Sequence, residues 1–575
     1  MASFKFSLLA CGLLSLSLLG NALSVPAIAR RQTNTPIAQL CRQETFATVL
    51  SELGGQHWPG SPYTSQTEPQ RRDWPGQVLI YATGLDICGV RIDITANIAV
   101  EIFLPHPDKW NNRTLMVGNG AFAGQTNRVD MFSRALYGWT TMSTNTGHEW
   151  PITAGLGWAA NNPELQKDWA WRAMSRSVPY AKRIVEVYYN TTTRDIPVKH
   201  YYSGCSTGGR QGIRQTEVDP NSFDGMLLGA PAWNVRSAMP VISRIGYISR
   251  TFGLDDLSET QLIQRLYNLT VEKCDTLPNT FDNAPDGIVS ASDACLELFR
   301  NSDIRTGAVW EGLGCLNNDT PSDTCVTIAQ RQGFLALLGA DVFRNPSDNT
   351  PAGDGFDITS IKDISQNWLE ADIRDWSSNQ FSTYFLGRTI PWNSDANGTA
   401  LLEASNAWDR EVRANADGRV LNGNPNLRTI LYTGTADGTV SSYGTDQLFS
   451  DAGGDGNANL AYFKIPGMPH CVDNGNGAVN PPWYIGQGGL AIVNATKWYM
   501  PNDTGLVDAA HDALIALTEW VENGRKPTQL IATAFVNATN NDWRIRYQRP
   551  VCASPRRQTY DGEGDVTDIG NWSCQ

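Results

Sequence analysis

The chain has 575 residues, of which 41% are apolar and 18% charged, a balance that suits a globular protein and argues against disorder. That length exceeds one ordinary domain. A formal net charge of −13 without a basic stripe argues against nucleic acid or an anionic membrane surface as a partner.

At the N-terminus Lys5 precedes the apolar run 6–19, and the small residues Gly20, Ala22 and Ser24 follow, as in a secretory signal. The expected boundaries are a signal peptide over 1–24 and a propeptide over 25–31 ending at Arg30-Arg31, unless that basic pair arose by chance. The apolar run is too short to span a bilayer, and no later stretch reaches about 18 consecutive apolar residues. The mature protein is therefore expected to be secreted and extracellular. Of 11 cysteines, Cys11 falls in the signal and ten remain, an even number that oxidising secretion favours. Spacing does not assign their pairs, although Cys274/Cys295, Cys315/Cys325 and Cys552/Cys574 are natural local candidates. Nine glycosylation sequons between Asn112 and Asn571 agree with eukaryotic secretion.

Two blocks alternate strand, turn and helix. In the first, strands are expected at 113–117, 138–142, 199–203 and 223–229, with helices at 169–189 and 209–218. In the second, strands at 428–432 and 460–465 precede an amphipathic helix at 512–523 closed by Gly524. This alternation predicts an α/β fold, a mostly parallel sheet with helices on both faces. The segment between the blocks, 236–418, holds four cysteines, acidic loops and short helices, and reads as an inserted cap.

Gly204-Cys205-Ser206-Thr207-Gly208 is a G-x-S-x-G run where a strand is expected to turn into a helix, the setting of a nucleophile elbow. A serine hydroxyl needs a positioned base to remove its proton. His470 is the candidate base, and Asp437, in Asp437-Gly438 after the strand expected at 428–432, would orient it. The order Ser206, Asp437, His470 is the one expected of α/β-hydrolases, and both partners end predicted strands. Each signal alone has a plainer reading: the G-x-S-x-G run is common, Asp-Gly is an ordinary turn, and a lone histidine is usually structural. His57 and His106 precede the serine in the wrong order, His200 lies in the strand feeding the elbow, and His511 starts a helix. His148 either lines the cleft or packs.

Cysteines flank both reactive candidates. A Cys205–Cys471 bridge would bring Ser206 beside His470, since bonded cysteines hold their Cα atoms within about 4.4–6.8 Å. The alternative is that the two pair elsewhere and only staple the fold. An oxyanion hole needs two amides: Thr207 would supply one, and Gly120 or Ala121 the other, unless that glycine run is a plain turn. In the cap, Asp275 and the run Asp282-Asn283-Ala284-Pro285-Asp286-Gly287-Ile288 alternate carboxylates with carbonyls, a pattern that suits calcium or else a solvated acidic loop.

The motifs 204–212 (GCSTGGRQG), 467–471 (GMPHC), 484–488 (YIGQG), 520–524 (WVENG) and 571–574 (NWSC) resemble the tannase and feruloyl esterase family over nearly the whole mature chain. The resemblance implies an α/β-hydrolase catalytic domain over 32–235 and 419–575, with a lid over 236–418. It also implies a Cys205–Cys471 bridge beside the triad, and leaves Cys41 and Cys88 as partners. It further implies structural calcium in the lid, held by Asp275, Asp282, Asp286 and the carbonyls of Ala284 and Ile288, and no organic cofactor. Two departures stand out. Residues 276–281 read as an insertion between the first two acidic ligands, and Ala121 replaces the last glycine of the family's Gly-Asn-Gly-Gly run. The implied substrates are phenolic esters on plant polysaccharides or tannins. The shorter pattern favours hydroxycinnamates such as ferulate, with galloyl esters as the close alternative. A catalytically inactive hydrolase fold used for binding is the alternative of another class.

Overall fold

The computed structural model describes residues 35–67, 80–81, 83–151, 154–254, 261–277, 284–313, 315, 325–340, 343–344, 351–361, 364, 376–471, 483–486, 506–537 and 542–575. The expected signal peptide and propeptide lie outside these residues. Among the described residues, seven strands occur before the segment 236–418: β1 (Gln56–His57), β2 (Ile87–Asp93), β3 (Ala99–Pro105), β4 (Arg113–Val117), β5 (Thr140–Thr144), β6 (Lys199–Cys205) and β7 (Gly225–Gly229). A short antiparallel pair, β8 (Phe343–Arg344) and β9 (Pro351–Gly353), sits within that segment, and β10 (Arg428–Gly434) and β11 (Leu460–Ile465) follow it. One nine-stranded sheet runs β1-β2-β3-β5-β4-β6-β7-β10-β11. From β5 to β11 every neighbouring pair is parallel, and the β1–β2, β2–β3 and β3–β5 pairs are antiparallel.

The central strands are near-continuous apolar runs because helices cover both of their faces. Alternation along each strand sends Tyr201, Ile430 and Phe463 to one side, where they pack with Leu514, Leu517 and Trp520 of the helix Ala513–Asn523. Tyr202, Leu431 and Tyr462 point to the other side, into a core that also takes in Val178, Ile184 and Val185 of the helix Ala173–Tyr189. The helix expected at 169–189 begins instead with a π-helical turn, Asp168–Arg172, and the strand expected at 138–142 is shifted to Thr140–Thr144. Strands β2 and β3 were not anticipated. Their apolar runs are interrupted by Arg91 and Glu101, yet both side chains are buried. Glu101 accepts hydrogen bonds from Tyr63 Oη (2.6 Å) and Thr126 Oγ1 (2.7 Å) and pairs with Arg128 Nε (2.7 Å), which offsets the cost of burying its charge.

Residues of the inserted segment, among them Ile245, Phe299, Phe334, Phe381 and Trp408, build a third apolar core together with Trp158 and Trp169 from the chain after β5. The C-terminal hairpins β12 (Gln529–Asn537) with β13 (Asp542–Cys552), and β14 (Gln558–Tyr560) with β15 (Trp572–Cys574), complete the chain. All five expected cysteine pairs are bonded: Cys41–Cys88, Cys205–Cys471, Cys274–Cys295, Cys315–Cys325 and Cys552–Cys574. Among the described residues no helix is long and apolar enough to cross a membrane.

Candidate active site

Strand β6 ends at Cys205, and the chain turns at Ser206 into the helix Thr207–Val218. Ser206 has φ 61° and ψ −127°, a region that L-residues rarely occupy and that persists only where the surroundings hold it. Its amide donates to Gly229 O at 2.9 Å, and its carbonyl accepts from Ala232 N (3.0 Å) and Arg210 N (3.2 Å). Gly204 is required by proximity: a Cβ there would lie 2.6 Å from the backbone of Gly208. These are the marks of a nucleophile elbow, and they lift residue 206 beyond the end of the sheet.

Asp437 and His470 follow β10 and β11, the strands next along the sheet from β7. Asp437 is fully buried. Its Oδ1 accepts the N–H groups of Thr439 (2.9 Å) and Val440 (2.8 Å), and its Oδ2 lies 2.7 Å from His470 Nδ1. The two amides fix the carboxylate, and the carboxylate in turn fixes the imidazole. Cys471, with φ 63°, is bonded to Cys205 across a Cα–Cα distance of 5.8 Å, and Tyr432 Oη donates to its carbonyl at 3.4 Å. Ser206 and His470 are the chain neighbours of the two bonded cysteines, so this bridge joins the elbow to the histidine turn. The other histidines are engaged elsewhere: His106 with Thr35 O, His200 with Thr114 Oγ1, His511 with Asp508, and His57 edge-on to Phe46.

Thr207 is buried at the first position of its helix, where the amides lack intrahelical acceptors. Gly120 is exposed, and Ala121 has φ 45° in the loop after β4. The base of this loop is fastened by Asn119, whose N–H donates to Gln211 Oε1 on the elbow helix at 2.9 Å. Its Nδ2 donates to Gln125 O (2.8 Å) and Thr144 O (2.9 Å). Neither Asn119 nor Gln211 was singled out from the sequence, although both stand inside the motifs that drew attention to this region. Arg210, also on the elbow helix, is fully buried. Its Nη1 donates to Ala170 O (2.7 Å) and Ala414 O (2.8 Å), its guanidinium lies 4.4 Å from the Trp169 ring, and burial pulls its pKa down to about 10. It ties the elbow to both sides of the third core.

His148 packs. Its ring stacks on Trp158 at 3.9 Å between centroids, and burial lowers its pKa to about 3.

In the inserted segment, Asp275 Oδ2 accepts the Gly287 N–H at 3.1 Å, so the extra residues after Asp275 do not remove it from the acidic loop. Asp286 Oδ1 accepts the Ile288 N–H (2.9 Å), and its Oδ2 lies 3.2 Å from Arg549 Nη2 on β13. Ala284 and Ile288 are buried beside them, and Asp282 lies outside the described residues. Hard carboxylate and carbonyl oxygens are the ligand type calcium takes. Asp275 and Asp286 bring such oxygens to one short loop, and Arg549 places on Asp286 a positive charge that opposes a cation at the same oxygen. Among the described residues no three metal-ligating side chains form a cluster.

The sequence profile of the family described as "Tannase and feruloyl esterase" matches residues 87–387 and 424–575. A probable feruloyl esterase B-1 of Aspergillus flavus is 26% identical over 516 residues, covering 85% of this chain and 86% of that protein. A probable feruloyl esterase B-1 of Aspergillus oryzae is 27% identical over 503 residues, covering 85% and 83%. Among solved structures, feruloyl esterase B from Aspergillus oryzae superposes with a TM-score of 0.74 at 22% identity, covering 94% of this chain and all of that one. Tannin acyl hydrolase from Aspergillus niger superposes with a TM-score of 0.67 at 17% identity, covering 95% and 96%. Both structural likenesses establish the shared α/β-hydrolase fold.

Proposed function

The chain belongs to the tannase and feruloyl esterase family and is a carboxylic ester hydrolase of that type; on that premise, we propose that it is a secreted serine esterase that releases hydroxycinnamic acids such as ferulate from esters of plant cell-wall polysaccharides. Ser206 is the nucleophile, His470 the general base and Asp437 its orienting carboxylate. His470 takes the Ser206 proton as Oγ attacks the ester carbonyl. The tetrahedral oxyanion is held by the Thr207 amide and an amide of Gly120 or Ala121. Collapse expels the sugar hydroxyl, which takes the proton from His470 and leaves a feruloyl ester on Ser206. Water then enters with His470 again as base, and ferulic acid leaves. The segment 236–418 serves as a lid over this centre, and its acidic loop holds calcium in a structural role through Asp275, Asp282, Asp286 and the carbonyls of Ala284 and Ile288.

The observation that carries this reading is the Cys205–Cys471 bond, which couples the elbow to a histidine already hydrogen-bonded to a buried aspartate. The five disulfides and the apolar N-terminal run support secretion. A fluorophosphonate probe followed by peptide mapping tests the nucleophile: label on Ser206 is expected, and an unlabelled, inactive protein would leave only a binding role. Parallel hydrolysis of methyl ferulate and methyl gallate tests the substrate. The ferulate ester is expected to be preferred, and a strong preference for gallate overturns that choice in favour of tannase activity.

A further inference from the structure

The two amides that would face an oxyanion belong to different segments of chain. Thr207 opens the elbow helix, and Gly120 and Ala121 lie in the loop after β4. Neither segment alone fixes the distance between them, and that distance decides whether both donors reach one oxygen. The sheet ladder ends at Gly118, whose N–H donates to Ser203 O at 2.9 Å, so the next amide needs another acceptor. It finds one on the elbow helix: Gln211 Oε1 accepts the Asn119 N–H at 2.9 Å, with Gln211 2% and Asn119 3% exposed.

The backbone of Gly118 and Asn119 also packs closely on Gly208 of the elbow helix, where an added Cβ would lie 3.1 Å from Asn119 O, but the loop's remaining side-chain hydrogen bonds lead away from that helix. Asn119 Nδ2 binds carbonyls at Gln125 and Thr144, Asn127 Nδ2 donates to Gly118 O at 2.9 Å, and Asn127 N donates to Ser143 Oγ at 3.1 Å. Those contacts hold the loop to itself and to the sheet. Among the described residues, the Gln211 contact is the side-chain hydrogen bond that ties the loop to the helix bearing Thr207. It is neutral, so it brings no negative charge near a place where negative charge would develop.

We propose that Gln211 is a positioning residue for the oxyanion hole: its carbonyl sets the spacing between the Thr207 amide and the Gly120–Ala121 loop. The proposal rests on the esterase reading above. Gln211 touches no reacting atom and acts through the placement of the loop. Displacing one donor by a fraction of an ångström weakens it for the transition state far more than for the ground-state ester, so the effect falls on kcat.

The test compares Gln211→Met, which keeps the side-chain length and removes the acceptor, with Gln215→Met on the same helix. Gln215 is also buried and polar, but its Nε2 donates to Ser222 Oγ at 2.8 Å, away from the loop. Rates on methyl ferulate are normalised to fluorophosphonate-titrated sites, and affinity for a trifluoromethyl ketone analogue of ferulate is measured alongside. Gln211→Met is expected to lower kcat roughly 10- to 100-fold with KM within about 3-fold, and to weaken the ketone in proportion to kcat/KM. Gln215→Met is expected to lower stability and leave these constants in place. Should Gln211→Met yield no titratable protein, Gln211→Asn, too short to reach Asn119, is read by the same criteria. The proposal is overturned if per-site kcat and ketone affinity stay within about 3-fold of wild type, or if Gln215→Met loses as much. A wild-type protein that neither hydrolyses the ester nor takes the label refutes the esterase reading itself; an active wild type with an unaltered Gln211 variant refutes only this inference.

Discussion

Ile288, in the acidic loop of the inserted segment, packs against Gly467 in the turn that carries His470. A Cβ on Gly467 would sit 3.0 Å from Ile288 Cγ2, and the residue has φ +71°. The loop proposed to hold calcium therefore leans directly on the histidine turn. Gly467→Ala is expected to cost about 1–2 kcal/mol from the left-handed backbone alone, and more from the crowded methyl. Thermal denaturation should show a lower Tm, and kcat should fall as the turn shifts; an active variant of wild-type Tm would contradict this packing. Chelation with EDTA is expected to lower Tm and added calcium to restore it, whereas a Tm indifferent to both would remove calcium from the account.

The two inter-cysteine loops differ greatly in length. Cys205–Cys471 closes 266 residues and Cys315–Cys325 closes 10, so chain entropy alone gives on the order of 5 kcal/mol against about 3. The larger difference lies in position, because only the first bridge adjoins Ser206 and His470. The double variant Cys205→Ala/Cys471→Ala is expected to lose most esterase activity, and Cys315→Ala/Cys325→Ala to keep most of it. Comparable residual rates for the two would remove the special role of the first bridge.

Asp437 accepts two amide hydrogens on one oxygen and faces His470 with the other. Asn in its place presents either an NH2 group or a neutral oxygen to the imidazole, and the tautomer preference that frees Nε2 to act as a base is lost. Asp437→Asn is expected to lower kcat by about 10³- to 10⁴-fold while KM changes little. Steady-state rates on methyl ferulate check this. A loss under tenfold would mean that another group orients the base.

His148 is buried against Trp158, and the apolar surroundings pull its pKa down to about 3 from an ordinary value near 6.5. The sign follows from linkage: the unfolded chain takes up a proton near pH 6.5, and the folded protein resists it until about pH 3. Stability from this site is thus complete above pH 6.5 and declines as pH falls from there toward 3, by on the order of a few kcal/mol in all. Replacing His148 by the non-titrating Phe should flatten the acid limb of Tm against pH in that window. An acid limb of unchanged slope would mean that His148 is not the group responsible. His200, lowered to about 4 by burial, contributes in the same direction and remains in the variant.

Much of the candidate site was legible because its signals are local. The glycines around Ser206, the cysteines beside Ser206 and His470, and the apolar runs feeding them are features of adjacent residues, and the folded chain brings them together as their order suggested. Strands β4 and β11 were delimited from the sequence because apolar strands covered on both faces leave an unbroken run. Strands β2 and β3 were not, since Arg91 and Glu101 look like solvent-facing residues until their partners are known.

The amino-acid order by itself thus determined the α/β class and the triad candidates of this esterase, which are carried by residue type and spacing along the chain, whereas spacing left the cysteine pairs open and the folded chain closed them. Only the tertiary structure decided that His148 packs on Trp158, that Arg549 reaches Asp286 and that Gln211 holds Asn119. The last two of those contacts join elements remote in sequence, and a polar side chain carries no mark of its partner until packing has excluded water and left that partner as what can satisfy it.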